Sequence, residues 1–174
     1  MDYQNCELCP RRCGVDRTAG ERGWCGAPDT ALVAKTMLHQ WEEPCLVGEH
    51  GAGTVFFSGC NLRCCFCQNG SISQEGFGKP VTAERLREIF RELIEQGAAC
   101  IDLVTPTHFT HVILEALGEE PWPVPVVWNC GGYEKVETLR LLEAKVQVYL
   151  PDLKYISAET AGKYSKAKDY FEFA

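Results

Sequence analysis

The chain has 174 residues, 45% of them apolar and 24% charged, enough for one domain with a real core. Its net charge is −7 and no basic face stands out, so nucleic acid is not an expected partner. No run of about 18 apolar residues is present for a membrane span, and the polar start MDYQNCELCPRRC does not resemble a signal peptide, so a cytoplasmic location is expected. The anomaly is cysteine: 11 in all, nine of them in the first 67 residues. Disulfide scaffolds are small, secreted and loop-rich. In a reducing compartment such clustering points instead to metal binding.

Residues 1–30 are rich in cysteine, glycine and arginine and lack apolar periodicity, so loops pinned by something other than a core are expected. Cys6, Cys9, Cys13 and Cys25 offer four thiolates there, and a four-cysteine metal site would supply the missing folding free energy. Zinc and an auxiliary 4Fe–4S cluster both suit that set. Residues 31–50 hold a strand candidate and a Pro-Cys turn, and connect the Cys-rich segment to the rest of the chain.

Residues 51–174 alternate short apolar runs with helical patterns. The strand candidates are Thr54–Ser58, Cys100–Val104, Val124–Trp128 and Val146–Leu150, continuous apolar runs of the kind covered on both faces. In the clearest helix Leu86, Ile89, Phe90, Leu93 and Ile94 recur at helical spacing, with Thr82 to cap it and Gly97 to end it. Further helices are expected at 108–117, 134–143 and 157–166. Such alternation implies parallel strands with right-handed crossovers, which place chemistry at the carboxyl ends of the strands. There the chain carries Cys60, then Thr105, Thr107 and His108, then Asn129, Cys130, Gly131 and Gly132, then Asp152 and Lys154.

The segment SGCNLRCCFCQN places Cys60, Cys64 and Cys67 as C-x3-C-x2-C. Three thiolates on a cubane leave one iron without a protein ligand, which a small molecule can then bind. Cys65 lies between ligands, and a neighbour of Cys64 should point away, as a small buried hydrophobe. Cys45 and Cys100 read as loop or core thiols.

The C-x3-C-x2-C motif after a strand, with Phe66 and Gln68-Asn69, resembles the radical S-adenosylmethionine (SAM) superfamily. NCELCPRRCGV, ISQEGFGK, LVTPTH, GYEKVETL and LPDLKY extend the resemblance to pyruvate formate-lyase activating enzyme-like proteins with an N-terminal cysteine motif, across essentially the whole chain. It implies an α/β fold, a partial parallel (β/α) barrel behind a Cys-rich extension. Family cores carry six strand–helix units; the four counted here imply a truncated fragment or an unusually short member, and the open edge implies a partner or further chain. It also implies an activating-enzyme-like oxidoreductase in which the reduced cluster cleaves SAM to methionine and a 5′-deoxyadenosyl radical that abstracts hydrogen. A partner protein is the implied substrate and a flavodoxin- or ferredoxin-like protein the electron donor. By resemblance Phe66 and Gln68 lie beside the adenine, and Asp152 and Lys154 lie near SAM, the aspartate also able to bind a monovalent cation. Thr105 and Thr107 stand where many relatives have a Gly-Gly-Glu stretch for the methionine amino group, and Asn129 can reach the ribose. The alternative is a non-enzymatic zinc or iron–sulfur module, or an electron carrier that leaves SAM uncleaved.

Overall fold

Six strands form one mixed sheet in the order β3-β1-β2-β4-β5-β6. They are β1 (Ala31–His39), β2 (Ala52–Phe57), β3 (Lys79–Val81), β4 (Ile101–Val104), β5 (Val126–Cys130) and β6 (Val148–Pro151). The computed structural model describes residues 3–174; Met1 and Asp2, the start of the expected Cys-rich segment, lie outside the described residues. The run β2-β4-β5-β6 is parallel, as the four apolar runs imply, while β1 is antiparallel to both β2 and β3.

The sheet is not closed. The four parallel strands expected as a partial barrel lie in an open sheet, and β1 and β3 extend it so that the edge of β2 is covered. The other edge is β6, where Tyr149 is exposed. Strand β3 has no counterpart among the sequence-predicted strands. It is three residues long and contains Pro80, which lacks a donor and suits an edge position.

The crossover helices sit where periodicity places them. Helix α3 (Ala83–Glu95) buries Leu86, Ile89, Phe90 and Leu93 against the sheet, and each such side chain contributes about 2 kcal/mol. Thr82 Oγ1 accepts from the Arg85 N–H at 3.2 Å, and Gly97 follows the helix at a positive φ of 95°. The expected helix at 108–117 is shortened: Thr107–Phe109 form a 3-10 turn before α4 (Thr110–Leu117). Helices α5 (Val136–Arg140) and α6 (Ala158–Ser165) follow β5 and β6. Short turns α1 (Pro44–Val47), α2 (Gly70–Ser73) and α7 (Tyr170–Phe173) complete the set. No helix among the described residues is long and apolar enough to cross a membrane.

Register positions the rim. Phe56 pairs with Val104, Val104 with Asn129, and Asn129 with Leu150, so the parallel strands end level with one another. The cysteine loop, Thr105, Cys130 and Asp152 therefore emerge side by side.

Among the described residues the N-terminal segment has no helix beyond the 3-10 turn Tyr3–Asn5. A buried arginine pins it. Arg17 is 1% exposed, donates to Pro28 O and His108 O, and lies 3.9 Å from the Tyr3 ring centroid. Lys135 Nζ and Thr138 Oγ1 donate to the Glu7 and Leu8 carbonyls, fastening the segment to α5.

Candidate iron–sulfur and cofactor site

After β2 the chain turns through Ser58 and Gly59 into the cysteine loop, where Arg63 takes a left-handed conformation with φ 56°. Each of the three sulfurs accepts one hydrogen bond. The Leu62 N–H reaches Cys60 Sγ at 3.4 Å, Ser165 Oγ reaches Cys64 Sγ at 2.9 Å and Ser73 Oγ reaches Cys67 Sγ at 3.3 Å. Donors aimed at sulfur suit thiolates that carry charge into a metal cluster. Burial pushes the Cys60 thiol up to about 11, so an isolated thiolate is disfavoured there and a cationic partner is needed to take its proton's place.

These cysteines line one cavity of about 320 Å³. Its floor includes Phe56, Phe57, Leu62 and Val104, and its rim brings together Phe66, Gln68, Thr105, Asn129, Asp152 and Lys154. Phe66 is 57% exposed, in edge contact with the Tyr155 and Tyr164 rings. Lys154 is ion-paired to Asp152. Burial works against its ammonium, but the Asp152 carboxylate outweighs it and the pKa is raised.

Thr107 does not join the rim, contrary to the expectation for it. The 3-10 turn rotates it inward, where its hydroxyl donates to Glu134 Oε1 at 2.6 Å. His108 is buried too, its Nε2 held 2.7 Å from the Ser58 carbonyl, outside the lining of the cavity. Cys65 lies outside the cavity and is exposed rather than buried; its N–H donates to the Tyr164 carbonyl. Cys100 is a core thiol and Cys45 an exposed one.

Three carboxylates near the site are absent from the sequence-predicted set. Asp102 is fully buried on β4; burial, then the neighbouring Glu42 carboxylate, push its carboxyl up to about 7. Asn129 Nδ2 donates to Glu42 at 3.4 Å, which ties this pair to a rim residue. The signal for Asp102 is an aspartate inside the apolar run CIDLV. Glu134 is buried between Thr107 and Cys130, and burial raises it to about 7.

The N-terminal cysteines form a second group. Cys9 is raised by burial and then by the charges of Cys25 and Cys13 among others. Burial also raises Cys25, with Cys6 and Cys13 adding to it, so Cys25 lies within electrostatic reach of the other three. The Trp24 N–H donates to Cys13 Sγ at 3.3 Å. All 11 cysteines are free thiols, so the disulfide alternative is not what the fold displays.

Among the described residues, no three His, Cys, Asp or Glu side chains surround a single metal ion as they stand. Cubane ligands each bind a different iron and stand wider apart than the ligands of one ion. Three thiols with one donor apiece, beside a cavity with an ion pair and a partly exposed aromatic ring, fit an iron–sulfur cluster and a zwitterionic cofactor.

Comparison with known proteins bears on this geometry. Residues 54–172 match the radical SAM superfamily. An uncharacterized protein of Methanocaldococcus jannaschii is 36% identical over 179 residues, covering 98% of this chain and 51% of the relative. The chain thus spans about half the length of that relative. No solved structure matches it. The match takes in most of β2, its cysteine loop and the three other parallel strands, and the chain belongs to the radical SAM superfamily.

Proposed function

We propose that Cys60, Cys64 and Cys67 hold a 4Fe–4S cluster beside a SAM site, and that the protein initiates radical chemistry as an activating-enzyme-like oxidoreductase. When bound, the cluster and SAM supply one-electron cleavage of the sulfonium to methionine and a 5′-deoxyadenosyl radical, which takes a hydrogen atom. The observation that carries this reading is the convergence of three hydrogen-bonded cysteine sulfurs with rim residues from the other parallel strands on one cavity.

The protein's own residues bind and orient. Lys154 offers an ammonium to a carboxylate at the cavity mouth, and Asp152 holds that ammonium in place. Asp152 also has lone pairs for a ribose hydroxyl or a monovalent cation. Phe66 offers an exposed ring for stacking, with Gln68 beside it for the edge of a base. Asn129, its amide nitrogen turned to Glu42, keeps its carbonyl for a donor. The apolar floor of Phe56, Phe57, Leu62 and Val104 limits water beneath the cofactor.

The hydrogen donor is read as a partner protein, and the electron donor as a small flavodoxin- or ferredoxin-like protein. A second metal, zinc or a further 4Fe–4S cluster, is assigned to Cys6, Cys9, Cys13 and Cys25; the electrostatic proximity of these thiols supports it.

Anaerobic reconstitution, reduction with dithionite and addition of SAM should release 5′-deoxyadenosine. The Cys64→Ala protein should release none. Wild-type protein carrying a full cluster but leaving SAM intact would point to electron transfer instead.

A further inference from the structure

Arg11 lies between Cys9 and Cys13 in the N-terminal segment, yet its side chain serves the other cysteine loop. Nε donates to the Asn61 carbonyl at 2.9 Å, one residue after Cys60. Nη2 donates to the Ser165 carbonyl at 2.8 Å, and Nη1 to the Lys166 carbonyl. The guanidinium stacks on Trp24 with 4.3 Å from its carbon to the ring centroid, and lies 5.3 Å from that of Tyr133. Trp24 adjoins Cys25, and its carbonyl accepts from Arg63 Nη1 at 3.2 Å, a second tie to the loop.

The Ser165 end matters most. Its hydroxyl is fully buried and donates to Cys64 Sγ at 2.9 Å. One hydroxyl proton cannot serve two acceptors, so the Tyr155 hydroxyl, 2.6 Å away, donates to Ser165 in turn. Ser165 closes α6, and Lys166 just after it is left-handed with φ 53°. That strained turn has two carbonyls free for an outside donor, and the fork of Arg11 takes both.

We infer that Arg11 is a positioning residue that couples the N-terminal cysteine segment to the electron affinity of the three-cysteine cluster, by holding Ser165 on Cys64. A hydrogen bond to a ligating sulfur stabilises the electron-rich reduced cluster more than the oxidised one, so such bonds raise the reduction potential. Order at the N-terminal cysteines thereby reaches the cluster through one guanidinium and one hydroxyl. Lysine at position 11 would keep the charge but not a fork for three carbonyls.

The inference rests on the proposed cluster, and the test separates the two. The midpoint potential is measured by electron paramagnetic resonance (EPR)-monitored redox titration, following the component whose spectrum moves when SAM is added. A wild-type protein with no such component ends the cluster reading. Given that component, Ser165→Ala should shift the midpoint to more negative potential. Arg11→Lys should shift it the same way although its charge is kept, and the double variant should go no further than the larger single shift. Where Arg11→Lys does not load a cluster, Arg11→Gln, which keeps an amide donor pair, takes its place. An Arg11 variant at the wild-type midpoint, or shifts that add in the double variant, overturns the inference.

Discussion

Gly59 packs against the carbonyl of Cys25 so closely that a Cβ at position 59 would stand 2.7 Å from that oxygen. The two cysteine regions, far apart in sequence, therefore meet backbone to backbone. Gly59 also has φ 88°, a conformation that L side chains rarely adopt. Gly59→Ala should cost about 2 kcal/mol or more, read as a lower urea midpoint at unchanged slope. A wild-type midpoint would mean that the N-terminal segment is free to move off the loop.

The cysteines of the loop divide by their surroundings. Cys64 is buried with Ser165 on its sulfur, whereas Cys65 is exposed and outside the cavity. Cys65→Ala should retain the iron and sulfide of the wild type after anaerobic reconstitution, and Cys64→Ala should lose the three-cysteine cluster. Equal loss in both variants would return Cys65 to the ligand set.

In the proposed site Lys154 binds the cofactor rather than supporting the fold. Its ammonium reaches into the cavity wall, while its backbone N–H is held by the Tyr170 hydroxyl at 2.9 Å. Lys154→Ala should weaken SAM binding about tenfold, equivalent to about 1.4 kcal/mol, with cluster content unchanged. Calorimetric titration of the reconstituted protein measures it. Unaltered affinity would remove Lys154 from the site.

His108 predicts an acid sensitivity. Burial, with the Arg17 guanidinium adding to it, holds the imidazole at about 4, below its ordinary 6.5. The Ser58 carbonyl only accepts, so Nε2 carries the proton of the neutral ring. As pH falls below 6.5 the unfolded chain takes up a proton that the folded one refuses. Stability is therefore full above 6.5 and declines toward 4, by at most about 3 kcal/mol from this group. His108→Gln should flatten that part of the profile relative to wild type in denaturation curves recorded from pH 7 to pH 4. Parallel profiles would show that the imidazole is not held neutral.

The parallel half of the sheet was legible because strands covered on both faces are mostly apolar, as TVFFS and CIDLV are apart from Thr54, Ser58 and Asp102. The edge strand Lys79–Val81 was not legible, since its pairing with Ala31–Val33 is tertiary and its own residues are mostly exposed. Spacing alone singled out Cys60, Cys64 and Cys67, and folding brings the three to one cavity. Thr107 was misplaced because a strand-end position says nothing of the 3-10 turn that swings its hydroxyl onto Glu134. Ser165 and Arg11 lie about a hundred and about fifty residues from the loop that they serve, a relationship that only folding creates.

The central claim is an incomplete thiolate set whose open iron meets SAM. It is tested most directly by EPR of the anaerobically reconstituted and reduced protein, recorded with and without SAM. A 4Fe–4S signal whose g-values shift on addition of SAM, and which is lost in Cys64→Ala, is the predicted result. A colourless zinc protein, or a cluster signal unmoved by SAM, would contradict it.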